Sequence, residues 1–179
     1  MDEFHSYRVG TPGDVMKTAR RIYIVTVLLV AFDVALLMVP PLAAHWQFSE
    51  LAQAVYQSYA GLCHQIPERS FSLFGIPLAV CQRCAAIHFG LLAGLALYPL
   101  LARRHSLRPL GRAPLLGAAL LLALDTGLPW LTGYQNTPWS RVSTGLLAGG
   151  VLSFCLVPGF TNWISSPRTG AKPRTRDST

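Results

Sequence analysis

The chain has 179 residues, of which 13% are charged, and a mean hydropathy of +0.38, which is too apolar for an ordinary soluble domain and reads as a membrane protein. Its formal net charge of +7 comes from 15 Lys+Arg against 8 Asp+Glu. These charges sit in blocks between apolar stretches, a pattern of membrane topology that argues against nucleic acid as a partner.

In chain order, residues 1–21 form a basic N-terminal segment with Arg8, Lys17, Arg20 and Arg21. It is expected to be loose over its first ~18 residues and to lie along anionic headgroups. The first apolar span covers 22–44; it is too long for a signal-peptide core and carries Asp33 in its middle, so it reads as an uncleaved anchor. An outer loop follows over 45–83. Phe48, Leu51, Val55, Tyr59 and Leu62 recur there at steps of three and four, predicting an amphipathic helix in the membrane interface, capped by Ser49 and ended by Gly61. Phe71–Phe74 then gives an extended piece, and Gly75-Ile76-Pro77 a turn. Further spans are predicted over 84–101, 113–131 and 142–160, each near the ~20 residues that cross a bilayer. The membrane domain therefore runs over 22–164, and 165–179 is a basic, disordered tail.

The basic residues orient these spans. Arg103, Arg104, Arg108 and Arg112 lie between the second and third, and Arg168, Lys172, Arg174 and Arg176 follow the fourth. With the four N-terminal basic residues these mark one side, and only Arg69, Arg83 and Arg141 mark the other. The positive-inside rule puts both termini in the cytoplasm and the loop outside the cell membrane. Gly90 with Gly94, and Gly145 with Gly149, predict close helix packing. Trp46, Trp130 and Trp139 fall near the outer interface, where they act as belt anchors.

Chemistry concentrates in the loop: Cys63-His64, then Cys81-Gln82-Arg83-Cys84, with His88 four residues on. If a helix begins near Cys81, then Cys81, Cys84 and His88 share a face. With Cys63 and one histidine they give the Cys3His composition that tetrahedral zinc favours. The same thiols permit two other readings. Cys81 and Cys84, at a helix N-terminus on the oxidising side, suit a quinone-coupled thiol oxidoreductase, although the second cysteine pair of such enzymes is lacking. A plain structural disulfide is the other. Inside the spans, Asp125 and Arg141 are expected to pair near the outer leaflet. A hydrolase or transferase acting on a lipid-linked substrate would use the metal as Lewis acid, Glu68 as base and Arg141 as an anion clamp, with Asp125 a further candidate. A non-enzymatic subunit that docks a membrane protein partner is the third class.

The chain resembles the prokaryotic membrane domain-of-unknown-function family numbered 2085. The resemblance rests on Cys63-His64-Gln65, Pro67-Glu68-Arg69-Ser70-Phe71, Leu73-Phe74-Gly75, Cys81-x-Arg83-Cys84, Gly90, Asp125, and Arg141 with Thr144-Gly145. It implies a small integral membrane protein and no particular activity. Two positions depart from the family's pattern: His88, where an aromatic is usual, and Thr126, where glycine is expected. A metal site common to the family would then take His64 as its nitrogen donor.

Overall fold

The computed structural model describes residues 12–104, 112–133 and 136–165. Among the described residues are five helices and one hairpin: α1 (Pro12–His45), α2 (Ser49–Tyr59), β1 (Ser70–Leu73), β2 (Ile76–Cys81), α3 (Gln82–Arg104), α4 (Arg112–Thr132) and α5 (Pro138–Ser165). A single 3-10 turn, Pro67–Arg69, precedes β1.

Three of these helices are long and apolar enough to cross a bilayer, over Met16–His45, Gln82–Leu101 and Pro138–Val157. The apolar part of α4, Ala113–Pro129, is shorter than that measure. α1 begins at Pro12, so residues 12–18 are helical rather than loose, and it runs through Pro40 and Pro41 to His45. The expected arm before residue 12, the basic loop around Arg108 and the tail beyond Ser165 lie outside the described residues. Large apolar side chains stand uncovered along the long helices, among them Leu28, Leu29 and Phe32 on α1, Leu116, Leu120 and Leu121 on α4, and Leu147 on α5. Outward-facing leucines at this density are what a lipid solvent requires, since tails are as apolar as the side chains they meet.

α3 and α5 form the tightest helix pair, and glycine is the reason. A Cβ on Gly90 would strike the backbone of Leu146, and one on Gly149 would strike the Ile87 carbonyl and the Leu91 nitrogen. Gly94 and Gly145 lie against the facing helix in the same way. Gly150 has open space beside it. Gly149→Ala should therefore cost about 1–3 kcal/mol by overpacking, whereas Gly150→Ala should stay within about 0.5 kcal/mol of the parent. Thermal unfolding of the two variants in detergent checks the contrast.

A buried apolar cluster lies at the loop end. Leu37 of α1, Val55 and Tyr59 of α2, Cys63, Ala79 and Val80 of β2, and Ala85 of α3 bury one another. α2 presents Ala52, Val55 and Tyr59 inward, while Phe48, Leu51 and Leu62 of the predicted apolar stripe are exposed. Phe48 occupies the cap position and no side chain caps the helix, so Ser49 does not serve as the predicted cap. β1 and β2 pair antiparallel with Leu73 opposite Ile76. The turn falls at Phe74-Gly75, one residue before the expected position, with φ of 56° and 77°. Two successive positive φ values are the signature of a two-residue type I′ turn, for which Gly75 is suited. The Phe74 ring stacks on His45 at the end of α1, with centroids 4.3 Å apart.

Candidate metal centre

Three thiols meet where the loop returns to α3. The Sγ atoms of Cys63, Cys81 and Cys84 all lie within 4.8 Å of one another, close enough to share one metal ion. Each arrives from a different element: Cys63 from the turn after α2, Cys81 from the last residue of β2, and Cys84 from the first turn of α3. Cys63 is buried, and the other two are half-buried. All four cysteines are free thiols, and Cys155, far along α5, is not part of the group.

The backbone is arranged to favour charge on sulfur. Cys63 Sγ accepts the N–H of Cys81 at 3.2 Å and that of Gln65 at 3.5 Å. Amide donors aimed at sulfur stabilise the thiolate, the form that binds metal. Hydrogen bonds from Cys63 and then Cys84 hold the Cys81 thiol well below the ordinary thiol range, outweighing the opposing effect of burial. Gln65 sets this geometry. Its backbone is left-handed, at φ 51°, and its side-chain amide donates to the carbonyls of Tyr56 (2.7 Å) and Ala79 (2.8 Å). One side chain thus ties α2 to β2 and seats Cys63 between them.

The histidines stand apart from the sulfurs. His64 is exposed and lines the adjoining pocket. His88 has both ring nitrogens engaged elsewhere: Nδ1 is 2.6 Å from the Cys84 carbonyl and Nε2 is 3.3 Å from Asp33 Oδ2. A carbonyl only accepts, so Nδ1 carries a hydrogen. The expectation that His88 shares a ligand face with Cys81 and Cys84 therefore gives way to a contact between α3 and α1. Asp33 also accepts the Tyr59 hydroxyl at 2.7 Å. Burial, and then the Asp33 carboxylate, push the Tyr59 phenol above its ordinary range, which keeps it a donor. Asp33 thus joins α1 to α2 and α3.

The expected Asp125–Arg141 ion pair is replaced by a different one. Asp125 Oδ2 binds Arg83, at 2.5 Å from Nη2 and 3.1 Å from Nε, and Arg83 Nη2 also reaches the Asp125 carbonyl. Thr144 of α5 donates to the same carboxylate oxygen at 3.2 Å, and the Asn136 amide caps the Asp125 carbonyl. Both charged partners are largely covered, at 18% and 11% exposure. Arg141, only 9% exposed, donates instead to the Asn136 carbonyl at 2.7 Å and to Gln82 Oε1 at 3.4 Å. The physical reason is reach: Arg83, in the first turn of α3, faces α4 directly and claims its carboxylate.

Beside the thiols opens a pocket of about 210 Å³. Cys63, Cys81 and Cys84 form one wall, and Arg69, Arg83, Arg141 and Asn136 supply polar groups, with Leu62, Ile66 and Pro129 at its apolar margin. Glu68 is exposed on the 3-10 turn and does not line the pocket. Asp125 is not on the wall either, being committed to Arg83. Reading the sequence missed Arg83, Gln65 and Asn136. The signal for Arg83 was available, since it is the one cation at the mouth of the second span opposite the one carboxylate of the third.

Residues 63–155 match the family model described as a predicted membrane protein, DUF2085. The chain belongs to this family. An uncharacterised protein of Methanocaldococcus jannaschii is 33% identical over 120 residues, covering 66% of this chain and 75% of that one. An uncharacterised protein of Methanothermobacter thermautotrophicus is 38% identical over 92 residues, 49% of this chain and 78% of the relative. No solved structure matches the chain. The matched region begins at Cys63, so the DUF2085 segment contains all three clustered cysteines, the pocket arginines, α3 and the first part of α5. It is a membrane protein with several apolar helices, in keeping with a multi-pass arrangement.

Proposed function

We propose that this DUF2085 protein is a four-span cell-membrane protein that holds zinc in an outward loop, at the wall of a polar pocket. The observation that carries the reading is the convergence of three thiols within 4.8 Å, with two backbone N–H groups already aimed at Cys63 Sγ. Three sulfurs leave a tetrahedral ion one position for His64, water or a substrate, and a zinc ion so held acts as a Lewis acid. The pocket adjoins that position, which suits a lipid-linked substrate entering from the bilayer. α4 completes the fourth crossing with help from its neighbours, and the sidedness follows from the distribution of Arg and Lys. α2, with Phe48 and Leu51 uncovered, lies along the outer interface.

Metal analysis of the purified protein, combined with thiol counting after denaturation, tests this. One zinc per chain and four reactive thiols after chelation are expected. Metal-free protein with Cys81 and Cys84 protected from thiol reagents would sink the reading. That result would favour the thiol oxidoreductase, which the depressed Cys81 thiol and its two sulfur neighbours also support. In that chemistry two thiols close to one disulfide, and the two electrons and two protons released pass to a quinone.

A further inference from the structure

The polar wall of the pocket is cationic, and this points to what the pocket takes. Arg69, Arg83 and Arg141 all line it, with no carboxylate among the described residues of the wall. The nearby carboxylate, Asp125, is already shared by Arg83 and Thr144. Arg141 is the decisive residue. It is a buried cation that donates to two neutral oxygens, the Asn136 carbonyl and Gln82 Oε1. A guanidinium offers five N–H donors, and two hydrogen bonds to neutral oxygens do not neutralise its charge. The like charges of Arg69 and Arg83 also act on it, against the opposing attraction of Asp125 and Cys81. Such a concentration of guanidinium groups is the arrangement that recognises tetrahedral oxyanions, which accept two or more parallel N–H bonds.

Size and margin narrow the ligand. At about 210 Å³ the pocket is below the range of drug-sized sites, about 300–1,000 Å³. It suits a small charged group rather than a whole nucleotide or sugar. Leu62 and Ile66 at its edge are 79% and 36% exposed, so the entrance is apolar where the interior is charged.

Resting on the metal reading above, we infer that the pocket binds a phosphate-class oxyanion, clamped by Arg141 and Arg69 and presented to the open position of the thiolate-bound metal. The ligand is either a free phosphate or the headgroup of a lipid. Its apolar margin accommodates the second, and its guanidiniums serve both.

The test uses the full chain in phosphatidylcholine nanodiscs with cobalt(II) in place of zinc. The thiolate-to-cobalt charge-transfer band reports the metal, and the ligand-field bands report a change at its open position. Inorganic phosphate and a short-chain phosphatidic acid are titrated separately at fixed ionic strength, with calorimetry in parallel. Saturable binding of either, with a shift of the ligand-field bands, is expected. Saturation by phosphatidic acid alone identifies a lipid headgroup, and saturation by both identifies the phosphate group itself. Arg141→Gln should keep the charge-transfer band while weakening anion binding by about 10- to 100-fold, and Arg141→Lys should restore part of it.

A charge-transfer band with no response to either anion overturns the inference while leaving the metal reading intact. Unchanged anion affinity in Arg141→Gln overturns it as well. So does loss of the metal band in that variant without any anion binding by the parent, because Arg141 would then serve only to neutralise the thiolates. Absence of the charge-transfer band in the parent overturns the metal reading, and calorimetry then decides anion binding alone: saturable binding lost in Arg141→Gln upholds the clamp, and none overturns it.

Discussion

Asp125→Ala should destabilise the protein by about 3–5 kcal/mol, the cost of leaving a buried charge without its partner. The partner is Arg83, which holds the carboxylate through Nε and Nη2 and would remain covered at 18% exposure. The loss is not confined to one pair. Asp125 is where α3, α4 and α5 meet, through Arg83, its own backbone carbonyl capped by Asn136, and Thr144. α4 packs mainly on α5, so the carboxylate is its polar attachment to the other helices. Thermal unfolding in detergent should show a large fall for Asp125→Ala and a smaller one for Asp125→Asn, which keeps an acceptor oxygen. Replacing both partners together, Asp125→Leu with Arg83→Met, should recover much of the loss, because a buried pair contributes less than half a broken pair costs. Equal stability of Asp125→Ala and the parent would mean the pair is solvated in the membrane-embedded protein.

Cys81→Ser should lower metal affinity on the order of 100-fold or more, since a structural zinc site distributes roughly 10–16 kcal/mol over its ligands. Cys63→Ser and Cys84→Ser should behave alike, and Cys155→Ser should have no effect because that thiol lies outside the cluster. Equilibrium competition with a chromophoric chelator measures this. The affinity should also fall with acid, for thiols must lose protons to bind. The sign is specific: Cys81 has its pKa lowered by Cys63 and Cys84, so it is already a thiolate near neutrality. Metal uptake at neutral pH should therefore release fewer than three protons per ion, and affinity should fall as acid returns protons to the thiols. Equal losses in Cys155→Ser and Cys81→Ser would show that the metal is held elsewhere.

Much of this was legible in the chain itself. Runs of apolar residues broken by arginine blocks marked the long helices, because a bilayer imposes length and charge placement directly. The thiol cluster was legible because Cys-x2-Cys at a helix start and Cys63 behind a closed loop leave few other arrangements. Tertiary choices were harder to read. Arg83 looked like part of the cysteine motif, yet the first turn of α3 aims it at α4 and it takes the carboxylate expected for Arg141. His88 has the right spacing for a ligand, but its distance from the Cys84 carbonyl, one helical turn back, captures Nδ1 and turns Nε2 toward Asp33. On α2 the covered face, packed chiefly on α1 and less on β2, is the narrow one of Ala52, Val55 and Tyr59, and Phe48, Leu51 and Leu62 stay exposed. Periodicity reports which residues are apolar and leaves open which neighbour will cover them.

The way α1 is fastened has a consequence for biosynthesis. α1 precedes in the chain the elements it packs on, chiefly α2, β2 and α3, and its mid-helix Asp33 meets Tyr59 and His88. Until residue 88 has left the ribosome, Asp33 has no histidine to meet, and until Cys81 and Cys84 follow Cys63 the loop above has nothing to close on. Asp33 must therefore wait for Tyr59, 26 residues further on, and longer still for His88. Insertion order and assembly order differ in this protein, and the cysteine loop is the point at which the second catches up with the first.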